Sequence, residues 1–207
     1  MFLLRIKLII YLGVMLLTLS SCASISGGDG ASASASGVAT PKQDEAWNNV
    51  PKPYVDGLKA AQKGQSKNAI AFFEQSIKSV PEFAPAYTNM GLQQLRLKDR
   101  GAAQKSLQKA IELNSKDAIS YNHLGVIARL DGDFNTALKM YNKSIELNSD
   151  YAIAHLNLGI LLDLYLYELE SALLHYEKYQ SMISKKDGAV AKWIIDIKRR
   201  ISKNKKS

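Results

Sequence analysis

Cysteine is almost missing from this chain: among its 207 residues there is one, Cys22. That count excludes a disulfide framework, a cysteine-ligated zinc site and a CxxC redox pair. Histidine is nearly as scarce. His123, His155 and His175 form neither an HExxH motif nor an i,i+4 pair, so no metal site is expected. A GxSxG elbow, a Walker loop and a dinucleotide fingerprint are all absent. The run Gly27-Gly28-Asp29-Gly30 lacks the Lys-Ser/Thr ending of a phosphate loop. Asp99, Asp131 and Asp133 fall in turns and read as solvated or capping carboxylates. Neither catalysis nor a cofactor is therefore expected. No apolar run reaches the length of a comfortable membrane span.

Charge of one sign is abundant but badly spread. Lys plus Arg is 27 against 19 acidic residues, a net charge of +8. Residues 8–184 sum to −1, while residues 185–207 carry +7 and residues 1–7 carry +2. A nucleic-acid binder usually spreads its cations over a folded face with stacking aromatics. Here the basicity sits in the ends, so nucleic acid is not expected as a partner. Apolar residues at 46% and charged residues at 22% are ordinary for a globular core, which excludes a fully disordered chain.

The chain begins with a short basic stretch, Met1–Lys7, and an apolar run of about a dozen residues, Leu8–Leu19. The run ends in Leu19-Ser20-Ser21-Cys22. This resembles the bacterial lipobox: a leucine, two small residues, then a cysteine whose thiol is lipidated. The resemblance implies a signal peptide over 1–21, with Cys22 as the lipidated new N-terminus, palmitate among its acyl chains. The alternative is an ordinary cleavable signal with an incidental cysteine. Ala23 follows, and by resemblance to enterobacterial lipoproteins the lack of Asp there points to the outer membrane, facing the periplasm. Residues 22–48 then read as a tether. Ser26–Gly37 is a low-complexity stretch of small residues that cannot bury enough apolar surface to offset chain entropy. A coil of about 25 residues spans roughly 25–30 Å.

Glycines recur at Gly57, Gly91, Gly125 and Gly159, each 34 apart. Alanines recur at Ala69, Ala103 and Ala137, again by 34, and then at Ala172 after 35. Four residues beyond each lie Phe73, Leu107, Tyr141 and Tyr176. Three further on are Ser76, Ala110, Ser144 and Tyr179. This period and register resemble the tetratricopeptide repeat (TPR). The resemblance implies an all-α solenoid of about four helix-turn-helix repeats, at 50–83, 84–117, 118–151 and 152–186, within a domain over 49–186. Residues 187–207 would form a capping helix and basic tail. Small residues let helix A of each repeat approach helix B; larger ones fill the space between repeats. Turns are expected at Lys63-Gly64-Gln65 and Asp131-Gly132-Asp133, and Pro51 and Pro53 should shorten the first helix.

The fourth repeat lacks the turn glycine and has one residue too many, so a distorted turn is expected near Leu166–Glu170. Tyr165 and Tyr167 would lie there, as core packing against the final helix or as a secondary partner contact. In the last segment, Val190, Trp193, Ile194, Ile197 and Ile201 make one helical stripe opposite Lys192, Asp196, Lys198, Arg199, Arg200 and Lys203. That pattern suits a solenoid cap or an amphipathic helix lying on a membrane.

The fold that the resemblance implies lines its inner groove with A helices. Leu58, Leu92, Val126 and Ile160 recur there, beside Asn89, His123 and Asn157, with Thr88 and Asn122 adjacent. Arg96, Arg129 and Asp163 lie one turn further on. Asparagine donates and accepts at once, which suits a peptide backbone laid across it. These residues are the candidate partner-binding groove, although such a ladder also occurs structurally in this repeat family. The composite resembles the TPR lipoproteins that pilot pilus secretins or serve Tad-type pilus assembly. It is also similar to periplasmic adaptors for proteases or murein enzymes, and to parts of energised gliding or Tol/Exb-like complexes. The resemblance implies a partner that is another envelope protein; a self-associating solenoid is the structural alternative.

Overall fold

The computed structural model describes residues 50–205. The expected signal peptide, the lipidated Cys22 and the tether lie outside the described residues. The described residues form nine α-helices and no strand, an all-α TPR solenoid. The helices pair as α1 (Lys52–Gln62) with α2 (Ser66–Ser79), α3 (Ala84–Arg96) with α4 (Arg100–Leu113), and α5 (Ala118–Leu130) with α6 (Phe134–Leu147). The fourth pair is α7 (Ala152–Leu161) with α8 (Leu169–Met182), followed by α9 (Gly188–Asn204). Each helix packs on the next in sequence, and the A helices α1, α3, α5 and α7 also touch one another in order.

The glycine period has a direct steric cause. A Cβ on Gly57 would lie 2.5 Å from the Phe73 ring, and on Gly125 or Gly159 it would lie 2.7 Å from the ring of Tyr141 or Tyr176. On Gly91 it would come within 2.8 Å of Leu107. Each A helix thus seats the large side chain of its own B helix where a side chain is missing. Phe73, Leu107, Tyr141 and Tyr176 are all fully buried as a result. Helices of 10–14 residues are marginal alone. This packing is what holds them.

The A–B turns share one design. Gly64, Lys98 and Gly132, 34 apart, all have positive φ, as does Tyr167 after 35. The amide beyond each one closes the turn by donating to a carbonyl five residues back: Gln65 to Ala60, Asp99 to Gln94 and Asp133 to Ala128. In the fourth repeat Glu168 donates to Leu162, six residues back, at 2.9 Å. The extra residue has been absorbed by a π-helical turn, Leu162–Leu166, at the end of α7. The distortion therefore lies further upstream than the expected Leu166–Glu170, and α8 has already begun at Leu169.

Carboxylates start several helices. Asp99 accepts from the Ala102 amide and Asp133 from the Thr136 amide, each at 3.0 Å. Asp117 and Asp187 cap α5 and α9 by accepting from two amides each. Asp131 pairs instead with Arg100 at 3.1 Å across two repeats; both are well solvated, so the contribution is small. Asn114 and Asn148 fold back on the amides of Lys116 and Asp150 in the connections between repeats. Prolines at the start of α1 leave it 11 residues long, against 13 for α3 and α5.

Helix α9 continues the stack. Trp193 meets the Tyr176 ring with centroids 5.6 Å apart, and Val190 and Ile197 are fully buried. No helix among the described residues is long and apolar enough to cross a membrane.

Candidate functional site

The A helices carry a row of polar side chains, and most of it is spent inside the stack. Asn89 on α3 donates to the Tyr54 hydroxyl of α1 at 2.8 Å. Asn157 on α7 donates to the Asn122 side-chain oxygen of α5 at 3.0 Å. Both bonds join neighbouring A helices across 35 residues. The Thr88 hydroxyl donates to Asp117, the residue that caps α5, and Ser120 joins the same group. Thr88, Asn89, Asn122 and Asn157 are buried, as is Val126. The expectation that this ladder faces a partner is corrected: its hydrogen bonds key one repeat to the next, as buried polar groups require.

Asp163 is likewise internal. It sits in the π turn with a fully buried carboxylate and takes a 2.5 Å ion pair from Arg200 of α9. Arg200 also lies 3.7 Å from Asp196 on its own helix. The final helix is thus clasped to the fourth repeat by charge as well as by apolar packing.

What remains accessible is a narrower set. Leu92, His123, Arg129 and Ile160 are partly exposed, and Arg96 is exposed. The Arg96 guanidinium donates back to the Ala61 carbonyl at 3.4 Å. The Arg129 Nε donates to the Tyr141 hydroxyl at 3.2 Å. His123 holds the Ile119 carbonyl with Nδ1 at 2.8 Å, so that nitrogen carries the proton and Nε2 is left as an acceptor. Burial pushes its pKa below the ordinary histidine value, against the opposing pull of the Ile119 carbonyl. His123 is therefore a neutral hydrogen-bonding group at neutral pH.

Two apolar residues extend this surface. Leu97 and Leu130, at the ends of α3 and α5, are 44% and 46% exposed. The sequence signal for them is the dipeptide Arg-Leu, at Arg96-Leu97 and again at Arg129-Leu130. Tyr165 and Tyr167 part company. Tyr165 stacks on Phe134 with centroids 4.6 Å apart, packing the fourth repeat onto the third. Tyr167 is 64% exposed.

The structure also joins two histidines that no spacing rule would pair. His155 and His175 approach to 2.9 Å between their Nδ1 atoms, with rings 30° apart. The Nε2 of His155 meets the Ser149 carbonyl at 3.1 Å and so carries that ring's proton. The shared hydrogen bond then requires His175 to donate. Burial pushes both pKa values down, that of His175 to about 4. Among the described residues no group of three or more His, Cys, Asp or Glu side chains could hold a metal ion.

Three repeat models match in sequence. Residues 84–117 and 106–139 match models described as tetratricopeptide repeat, and residues 127–162 match one described as TPR repeat. The chain is a tetratricopeptide-repeat protein, a class whose members generally bind protein or peptide partners in the groove. Among solved structures it is similar to MamA, at 28% identity and a TM-score of 0.53, covering 62% of this chain and 70% of that one. MamA 41-end from Desulfovibrio magneticus RS-1 matches at 22% identity and TM-score 0.55, over 63% of this chain and 73% of that one. PilF of Pseudomonas aeruginosa matches at 18% identity and a TM-score of 0.65, over 73% of this chain and 68% of that one. No curated protein sequence matches the chain.

Proposed function

We propose that the protein is a lipid-anchored periplasmic scaffold on the bacterial outer membrane. Its A-helix surface holds a segment of another envelope protein and assists assembly of an outer-membrane machine such as a type IV or Tad pilus or a secretion system. One observation carries the binding part. Thr88, Asn89, Asn122 and Asn157 are buried between the A helices, while Leu92, Arg96, Leu97, Arg129 and Leu130 leave a row of apolar and cationic groups along the A helices and their ends. Such a row suits an extended or helical segment with apolar anchors and acidic neighbours. The anchoring part rests on Leu19-Ser20-Ser21-Cys22 at the end of the apolar run.

The test is a crosslinking pull-down from intact cells. The wild type is compared with an Arg96→Glu/Leu130→Ser variant, whose changes leave the buried ladder untouched. Loss of a single envelope protein with unchanged helicity supports the reading; undiminished capture of every crosslinked protein overturns it. Cys22→Ala should abolish lipid labelling.

A further inference from the structure

The outward arc of α9 carries Lys192, Lys198, Arg199, Lys203 and Lys205, all exposed, around Ile195, which is 69% exposed. Solenoid capping explains why this arc is polar. It does not explain its single sign. The exposed faces of the B helices mix charges: Lys67 with Glu74 on α2, Lys109 with Glu112 on α4, Lys139 with Glu146 on α6. On α9, Arg199 and Lys203 stand four residues apart, a like-charge pair that weakens a helix slightly. The carboxylates within reach answer part of this charge: Glu177 of α8 pairs with Lys198 at 2.7 Å, and Asp196 with Arg199 at 3.0 Å. Lys192, Lys203 and Lys205 have no carboxylate partner among the described residues. Beside the arc lies an open cavity of about 300 Å³ lined by Tyr167, Leu169, Arg200, Lys203 and Asn204. An exposed tyrosine next to cations is the side-chain pairing favoured where membrane meets water.

We infer that this face docks on a membrane surface bearing anionic phospholipids. The cations lie along about 20 Å of helix, at 1.5 Å per residue. They are mostly lysines on flexible stems, and they need a field of phosphates in no fixed register. A bilayer surface offers that. Ile195 and Tyr167 enter the headgroup layer while the buried stripe of α9 stays on the solenoid. The docking goes beyond the scaffold reading and does not require Cys22 to be lipidated.

The test uses the full chain carrying Cys22→Ser and Ile195→Cys, labelled at position 195 with an environment-sensitive dye. It is mixed with vesicles of phosphatidylcholine alone or with added phosphatidylglycerol, each containing a brominated lipid quencher. Blue shift and quenching on the anionic vesicles only are expected, weakening with salt. In a variant with Lys192, Lys198, Arg199, Lys203 and Lys205 all changed to Gln, the response should disappear. Single changes should weaken binding about fivefold each at low salt. Circular dichroism checks that the variant keeps its helices. An equal response on neutral vesicles, or a response unchanged in the glutamine variant, overturns the inference. So does a dye left in water on both vesicles and shielded only by an acidic protein.

Discussion

The carboxylate of Asp163 is fully buried and held by the guanidinium of Arg200, a residue 37 positions away on the last helix. Removing one partner of a buried ion pair costs about 3–5 kcal/mol, because the other charge stays buried. Arg200→Ala should therefore destabilise the C-terminal end of the solenoid by about 3 kcal/mol, given that Arg200 is itself partly exposed. The combined Asp163→Leu/Arg200→Leu change should cost clearly less. Urea unfolding of the two variants measures the difference.

Lys98 occupies with a side chain the left-handed position that Gly64 and Gly132 occupy without one. An L-residue there costs about 1 kcal/mol, partly offset by the larger entropy glycine loses on folding. Lys98→Gly should raise stability by about 0.5 kcal/mol and leave the spectrum unchanged. A drop in melting temperature would contradict the assignment of that turn.

The close approach at Gly125 makes the opposite prediction. An added methyl 2.7 Å from the Tyr141 ring must displace a fully buried side chain. Gly125→Ala should cost about 2 kcal/mol, within the range for overpacking, whatever alanine adds in helix propensity. Gly101→Ala is the control, since the nearest atom to a Cβ there is an Asp99 side-chain oxygen at 4.0 Å. Its effect should be neutral or slightly favourable, read in the same denaturation series.

The His155–His175 contact predicts a pH dependence. Both folded-state values lie below the ordinary 6.5, so the unfolded chain binds more protons as pH falls. The stability these groups contribute is whole above about pH 6.5 and is lost progressively as pH falls toward about 4. Protonation of His155 also puts two hydrogens between the Nδ1 atoms, breaking the contact. His175→Gln should flatten the pH profile of thermal stability over this window. A profile identical to that of the wild type would show the pair to be silent.

The 34-residue period made the helical pairs legible, because close packing at Gly57, Gly91, Gly125 and Gly159 writes itself directly into residue size. The extra residue of the fourth repeat was countable too, but not its place: Leu161–Leu166 is apolar almost throughout and marks no turn. The polar ladder was misleading for a different reason. Asparagine offers the same groups to a neighbouring helix as to a ligand, and only the neighbour's position decides. The histidine pair was invisible, since 20 residues of separation correspond to no local periodicity and the contact exists only once α7 and α8 have packed.

The hydrogen bonds between A helices also tie particular repeats to particular neighbours. Asn89 needs the tyrosine hydroxyl that the first repeat supplies, and Asn157 needs the amide oxygen that the third supplies. The helical pairs resemble interchangeable bricks in outline, yet Asn89 and Asn157 each bond a different group on the preceding A helix. Exchanging the second and fourth would hand each asparagine a stranger's surface. The array is better regarded as a sentence with a fixed word order than as a tally of equal units, and shortening or shuffling it would erase meaning before it erased helices.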